Sequence, residues 1–264
     1  MSLEEVRADK DVVDLDRYVG DAVSLAEELI PSVRLSDDDH LGFIVLSFLC
    51  RLSEQALSVR LLVSKAQGRD AELVARSMLE TMVSLVWIGQ SPQERGLQWR
   101  GYAYVEDWRL AREQRQDVPS APEEVKRFLQ ENGGRYEDPG RRGKDDPYYR
   151  DWRCGTTVKQ MFCAAKGEKL YSELYGPFSD WIHAGPKSIG LAIERDGKHI
   201  RWNPAPASTR ATALAAAFQC LVEALQIAGE HLKLSISGDV ENLIARFVRR
   251  FSGGREAVPT DLAS

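Results

Sequence analysis

The stretch Leu41–Cys50, LGFIVLSFLC, is apolar on almost every side when wound as a helix. It opens a run from His40 to about Gln67 in which apolar residues recur at spacings of three and four. A helix without a polar face must be enclosed by others. A second run, from Ala71 to about Gln90, ends in MVSLVWIG and has the same character. A chain with two such helices needs a bundle thick enough to cover both.

The punctuation of the chain predicts the remaining helices. Pro31 ends an amphipathic run from Val12 to Ile30, and Asp37 to Asp39 can cap the run that starts at His40. Gly68 reads as the stop of that helix and Asp70 as the cap of the next. Ser91-Pro92-Gln93-Glu94 starts a fourth helix, to about Gln116, that carries Trp99, Tyr102, Tyr104 and Trp108. Shorter helices are predicted over Pro122–Glu131, Thr156–Lys166 and Glu168–Ala184, and longer ones over Ser208–Leu234 and Val240–Phe251. Residues 132–153 are rich in Gly, Pro, Asp and Arg without a period, and read as a long flexible loop. LAIERDGKHIRW, residues 191–202, alternates about Asp196-Gly197, the signal of a two-residue hairpin. The expected fold is therefore all-α: a multi-helix bundle with one small β-hairpin near 191–202, as a single domain over residues 1–264.

Composition narrows the setting. Net charge is −5 and the pI about 5.6, an acidic balance that argues against a dedicated nucleic-acid coat. The N-terminal MSLEEVRADKD is charged and is not a signal peptide. The longest apolar stretch, Leu41–Cys50, falls short of the ~20 residues that a bilayer needs. Cys50, Cys154, Cys163 and Cys220 form no CxxC pair and read as buried, reduced thiols. These features predict a cytoplasmic protein with no membrane partner. In the last helix Val240, Leu243, Ile244, Phe247, Val248 and Phe251 form a stripe that needs a partner surface, in this subunit or in a second copy; a homodimer through helices is one expectation.

Signatures of the common enzyme classes are missing: no GxxxxGK[ST], HExxH, GxSxG, or GxGxxG after a strand. Two places carry polar groups where apolar ones are expected. Arg76 and Glu80 lie one turn apart within AELVARSMLETMVSLVWI, where either charge alone would be costly. GPFSDWIHAGPKS, residues 176–188, brings Ser179, Asp180 and His183 onto adjoining turns, with Tyr175 one turn before Ser179. Histidine titrates near neutrality and can serve as a general base, and a serine beside it as a nucleophile. The same residues equally suit a structural hydrogen-bond network. Glu80, Asp180 and His183 lack the further ligand that a metal site requires, so no metal and no cofactor is predicted.

Two nucleic-acid readings are weak. Arg34 and His40 match the Arg-to-His spacing of HEPN nucleases, but at this arginine content one match is ordinary, and the positions that would carry the arginine for His183 are Gly176, Pro177 and Phe178. Within 135–153, Arg135, Arg141, Arg142, Lys144, Arg150 and Arg153 interleave with aromatics as a stacking surface would, yet Glu137, Asp138, Asp145, Asp146 and Asp151 offset them. Arg246, Arg249 and Arg250 form a basic face beside the stripe of the last helix.

The segments GRDAELVARSMLETMVSLVWI, WRCGTTVKQMF and YSELYGPFSDWIHAG occur in an order that resembles a bacterial family, domain of unknown function 5677. The resemblance rests on Arg76 and Glu80, on Trp152, Gly155 and Thr156, and on Tyr175, Ser179 and His183, and extends over about Leu41–Leu234. In that pattern the tyrosine is often followed by arginine; here Gly176-Pro177 follows Tyr175. The resemblance implies a helical protein built around these polar residues and no particular activity.

Two functions follow as expectations. In the first, Arg76, Glu80, Ser179 and His183 converge as a catalytic set, with Tyr175, Trp152 and Asp180 as binding residues. His183 would be the acid–base group and Arg76 would hold an anion, in a metal-independent hydrolase or nuclease distantly HEPN-like and suited to stress or phage defence. In the second, the protein is a non-catalytic sensing or protein-interaction scaffold, and the same side chains form a structural network. What separates them is whether Arg76, Glu80 and His183 meet in an open cleft.

Overall fold

The computed structural model describes residues 3–36, 38–113, 122–183, 189–190, 192–202 and 207–251. Side chains at 3–9, 194–196 and 202, and the Asp37, Ala184 and Leu191 to which the sequence assigns a cap and two element ends, lie outside the described residues. In chain order the elements are α1 (Leu3–Leu29), α2 (His40–Ser64), α3 (Gly68–Gly89), α4 (Pro92–Glu113), α5 (Glu123–Asn132), α6 (Val158–Ala164), α7 (Glu168–Leu170), α8 (Gly176–Ile182), β1 (Ile193–Asp196), β2 (His199–Trp202), α9 (Ala207–His231) and α10 (Ser237–Phe251).

The apolar helices are central, as their lack of a polar face requires. α2, α3 and α9 pack on one another, and α1 lies against α9 and α2. Leu49 and Leu52 of α2, Leu79 and Leu85 of α3, and Leu214 and Leu221 of α9 are fully buried. Each such side chain contributes about 1.5–3 kcal/mol relative to exposure. Among the described residues, α2 and α9 are also long and apolar enough to cross a membrane by length and composition. The run Leu41–Cys50 is itself too short, but the polar residues just beyond it, such as Arg51 and Ser53, do not lower the average over a longer window enough to exclude a span by composition. In this fold both helices bury half or more of that window against α3 and each other.

Helix ends differ from their sequence signals. α2, α6 and α9 are closed by Ala66, Lys166 and Lys233, all in the left-handed region at φ 57°, 54° and 53°. In each the next residue's N–H reaches back to a carbonyl five residues earlier: Gln67 to Leu62, Gly167 to Phe162, Leu234 to Gly229. Gly68 does not stop α2; it begins α3, where a Cβ would fall 2.1 Å from Thr209 Oγ1 of α9. Asp70 is accordingly in the first turn of α3 and does not cap it.

The hairpin is present, with Asp196 paired to His199, so the turn is Gly197-Lys198, one residue later than the sequence suggests. Gly197 supplies the positive φ of 59° that this turn needs. Residues 132–153 carry short helical turns at Gly133–Arg135 and Pro139–Arg141 and a bridge between Glu137 and Tyr148. Asp146 is their hub: it accepts from Arg109 of α4, from Arg141 and from the Tyr148 N–H. These bonds hold it below the usual carboxylate range although burial acts in the opposite direction. Tyr136 is buried with Tyr102 and Val105 in a small second core. Two of the segment's six basic residues, Arg141 and Arg153, are thus occupied within the fold, on Asp146 and on Asp151 and Glu80.

The stripe of α10 finds its partner in the same chain. Phe247 stacks on Phe218 of α9 at 4.2 Å, and Tyr18 of α1 meets both edge-on. Leu243 and Val240 are buried beneath them. All four cysteines are free, but Cys163 is exposed and Cys50 and Cys154 half-buried; Cys220 alone matches the expectation of a buried thiol.

Candidate ligand-binding cleft

α3 presents three kinds of surface, and its polar residues are sorted among them. Met78, Leu79, Leu85 and Ile88 go to the core. Ser77, Thr81 and Ser84, spaced three and four apart, share a face that opens into a cleft of about 680 Å³ between α2, α3 and α4. Glu80 also lines it, and Arg76 lies one turn before Glu80 on α3. Their side chains approach to 3.7 Å, a loose pair. The close partner of Glu80 is Arg153, whose guanidinium donates to Oε1 at 3.1 Å. Tyr175 donates its hydroxyl to Glu80 Oε2 at 3.2 Å and accepts from Arg76 at 2.8 Å. The Arg76 guanidinium also lies 4.7 Å from the Tyr175 ring centre. Arg153 is anchored in turn by Asp151 through two contacts near 3.0 Å. Bonding to Asp151 raises the Arg153 pKa, and Asp151 is held low by the Arg153 bonds against the effect of burial. Burial, reinforced by the neighbouring Glu80, pushes the Tyr175 hydroxyl up to about 12, so it is a proton donor at any neutral pH.

The chain places Tyr175 through a wide turn in the helix. Residues Tyr171–Tyr175 form a π turn between α7 and α8, with the Gly176 N–H bonded to the Tyr171 carbonyl. Gly176-Pro177, a pair that ordinarily breaks a helix, explains it. Pro177 has no N–H, and its ring would strike the carbonyl four residues back in a regular helix. The wider turn removes the clash and carries the helix on. Tyr171 and Tyr175 stack across it at 5.4 Å, with Phe162 against both.

The sequence-predicted residues are therefore only partly brought together. Arg76, Glu80 and Tyr175 touch. Trp152 forms part of the cleft wall, 5.8 Å from Trp87. Ser179 is half-buried one turn along α8, Asp180 is exposed, and His183 is exposed at the end of that helix, where its N–H bonds the Ser179 carbonyl. Among the described residues, no hydrogen bond or ion pair joins the His183 ring to Arg76, Glu80 or Ser179. The reason is axial: two turns from Tyr175 to His183 carry the ring about 12 Å along the helix. Among the described residues, no three or more His, Cys, Asp or Glu side chains are spaced to hold a metal ion.

The cleft itself contains residues that sequence reasoning did not single out as a site. Its walls are aromatic: Phe43 and Phe48 of α2, Trp99 and Tyr102 of α4, and Trp152. Phe48 and Trp99 meet edge to face at 5.3 Å. Arg51 and Arg100 bring positive charge, Glu80 and Glu106 negative. Arg100 bonds the ring Nδ1 of His40 and lies over Phe43. Arg51 has no hydrogen-bond or ion-pair partner among the described residues. Thr81 and Ser84 spend their protons on backbone carbonyls one turn back, leaving acceptor lone pairs, whereas Ser77 accepts from Gln55 and keeps its proton to donate. The one available signal was adjacency: Arg51 directly follows the apolar LGFIVLSFLC, Arg100 follows Trp99, and Arg153 follows Trp152.

Fold and cleft together define an all-α protein with an aromatic-walled cleft and a braced carboxylate at its edge. Residues 42–200, more than half of the chain, match the family described as a family of unknown function, DUF5677, and the chain belongs to that family. The matched span holds the cleft and the whole Arg76–Glu80–Arg153–Tyr175 network; it ends before the Leu234 suggested by the resemblance and leaves α1, α9 and α10 outside. No curated protein and no solved structure matches the chain.

Proposed function

We propose that the protein is a non-catalytic sensing module whose cleft binds a mononucleotide-like ligand. One observation carries this reading. The Glu80 side chain is one-third exposed toward the cleft while Arg153, Tyr175 and Arg76 hold it from behind. A carboxylate fixed in this way is a preorganised acceptor for an N–H or O–H edge. Around it, the aromatic walls suit a stacked base, and Arg51 and Arg100 suit an anionic group. The volume of about 680 Å³ is in the range of small-molecule sites.

The hydrolase and nuclease reading needs His183 beside Arg76 and Glu80, and no contact among the described residues supports that arrangement. Trp99 and Trp152 supply the assay: tryptophan fluorescence titrated with adenosine, guanosine and their 5′-monophosphates. The expected result is saturable quenching by a monophosphate, weakened at least tenfold in Glu80→Gln and in Arg51→Ala with each fold intact by circular dichroism. Absence of binding by all four compounds, or equal affinity in both variants, overturns the reading.

A further inference from the structure

A second cavity, of about 520 Å³, lies on the opposite face of α3 from the cleft. At 100° per residue, Met82, Val83 and Val86 point about half a turn away from Ser77, Thr81 and Ser84. Phe162 of α6, Leu170 of α7 and Leu174 of the π turn complete an apolar wall, and α9 closes it with Gln219 and Glu223. The charged groups differ in depth. Lys166, Lys169 and Glu173 are exposed at the rim, where Lys169 and Glu173 stand 4.0 Å apart. Glu223 is drawn inward, and burial, with Glu230 adding to it, raises its pKa. Among the described residues Glu223 has neither a hydrogen bond nor an ion pair. The groove thus offers a largely apolar wall with a carboxyl group that has no ion-pair partner among the described residues.

We propose that this groove is a ligand site for a hydrophobic monoamine, its alkyl or aryl body on the half-buried Val86, Leu170 and Leu174, backed by the buried Val83 and Phe162, and its ammonium on Glu223. Charge complementarity selects the amine. A fatty carboxylate could meet the rim lysines, but its tail would then cover Glu223 and remove water from an unpaired acid, which is costly. An ammonium supplies a countercharge, and its apolar body covers the parts of Val86, Leu170 and Leu174 that otherwise face water. This site shares no lining residue with the cleft, so its occupancy is independent of the nucleotide reading.

The test is isothermal titration of the full chain with octylamine, octanoate and octanol, each below its aggregation concentration. Saturable one-site binding of octylamine is expected, with octanoate and octanol at least tenfold weaker. Glu223→Gln should weaken octylamine at least tenfold and bring it level with octanol. Leu174→Trp, which fills the groove at a half-buried position, provides the check should Glu223→Gln not fold, and should abolish uptake. Equal or tighter binding of octanoate or octanol, no octylamine binding, or octylamine binding unaffected by either variant overturns the proposal.

Discussion

At the scale of single residues, the hydroxyl of Tyr175 joins the two charges of α3. It accepts from Arg76 and donates to Glu80, so removing it leaves both with one partner fewer. Tyr175→Phe keeps the ring against Tyr171, Phe162 and Arg76, and should cost about 1.5–3 kcal/mol of stability by urea denaturation, the range for hydrogen bonds from a neutral group to charged ones. A loss near zero would mean that Arg153 alone holds Glu80. Glu72, one turn before Arg76, makes a second case. Burial pushes its carboxyl from 4.5 up to about 7, with Arg69 opposing. The folded chain therefore keeps a proton that the unfolded chain releases, and stability falls as pH rises from 4.5 to about 7. Glu72→Gln should melt higher than the wild type above pH 7, with the difference vanishing near pH 4.5, as read by thermal melts across that range. Arg76 and Glu80 were legible in the sequence because a charge inside an apolar run demands a partner. Arg153 was not, because it arrives from an aperiodic segment more than seventy residues away, where its charge reads as one of a balanced set.

At the scale of elements, helix interiors were legible and helix ends less so. Periodicity reports burial, which the fold enforces over many residues. Termini depend on a few local bonds, and here three helices close on Ala66, Lys166 and Lys233 in a conformation that glycine usually takes. Each bears backbone strain. Lys233→Gly should therefore raise stability by about 0.5–1 kcal/mol in denaturant, the relief exceeding the added freedom of the unfolded chain. A decrease would show that the Lys233 side chain stabilises the end of α9 by more than its backbone costs. The π turn shows the same limit. Gly176-Pro177 ordinarily breaks a helix, but the stacked Tyr171 and Tyr175 and the Phe162 against them hold the helix through it. That continuity determines which face Tyr175 shows to Glu80, and it leaves His183 at the far end. Ser179 and His183 share a helical stripe with Tyr175, as the spacing implies, yet of the three only Tyr175 reaches the charges of α3.

For the whole molecule, the central position of α2 and α3 followed from their lack of a polar face, and the same logic required something to cover α10. Whether that surface belonged to this chain or to a second copy was not decidable from a stripe alone; the positions of Phe218 and Tyr18, on helices far apart in sequence, decide it. Two forces could hold α10 in place. Arg250 bonds Asp14 and Asp11 at half-buried positions, and Arg246 bonds Asp21 at the surface. Beneath them Phe247 stacks on Phe218 over the buried Leu243 and Val240. Surface ion pairs contribute little and weaken in salt, whereas apolar burial does neither. Phe247→Ala should accordingly cost about 2–4 kcal/mol, slightly below the range for a fully buried phenylalanine, and equally at low and high salt. Arg250→Ala should cost far less, with the difference from wild type shrinking in 0.5 M (about) sodium chloride. Urea denaturation of both variants at two salt concentrations separates the cases. If the arginine variant were the weaker of the two, or if the phenylalanine variant lost its defect in salt, α10 would be an electrostatically tethered arm and the surface it covers would be open to another partner.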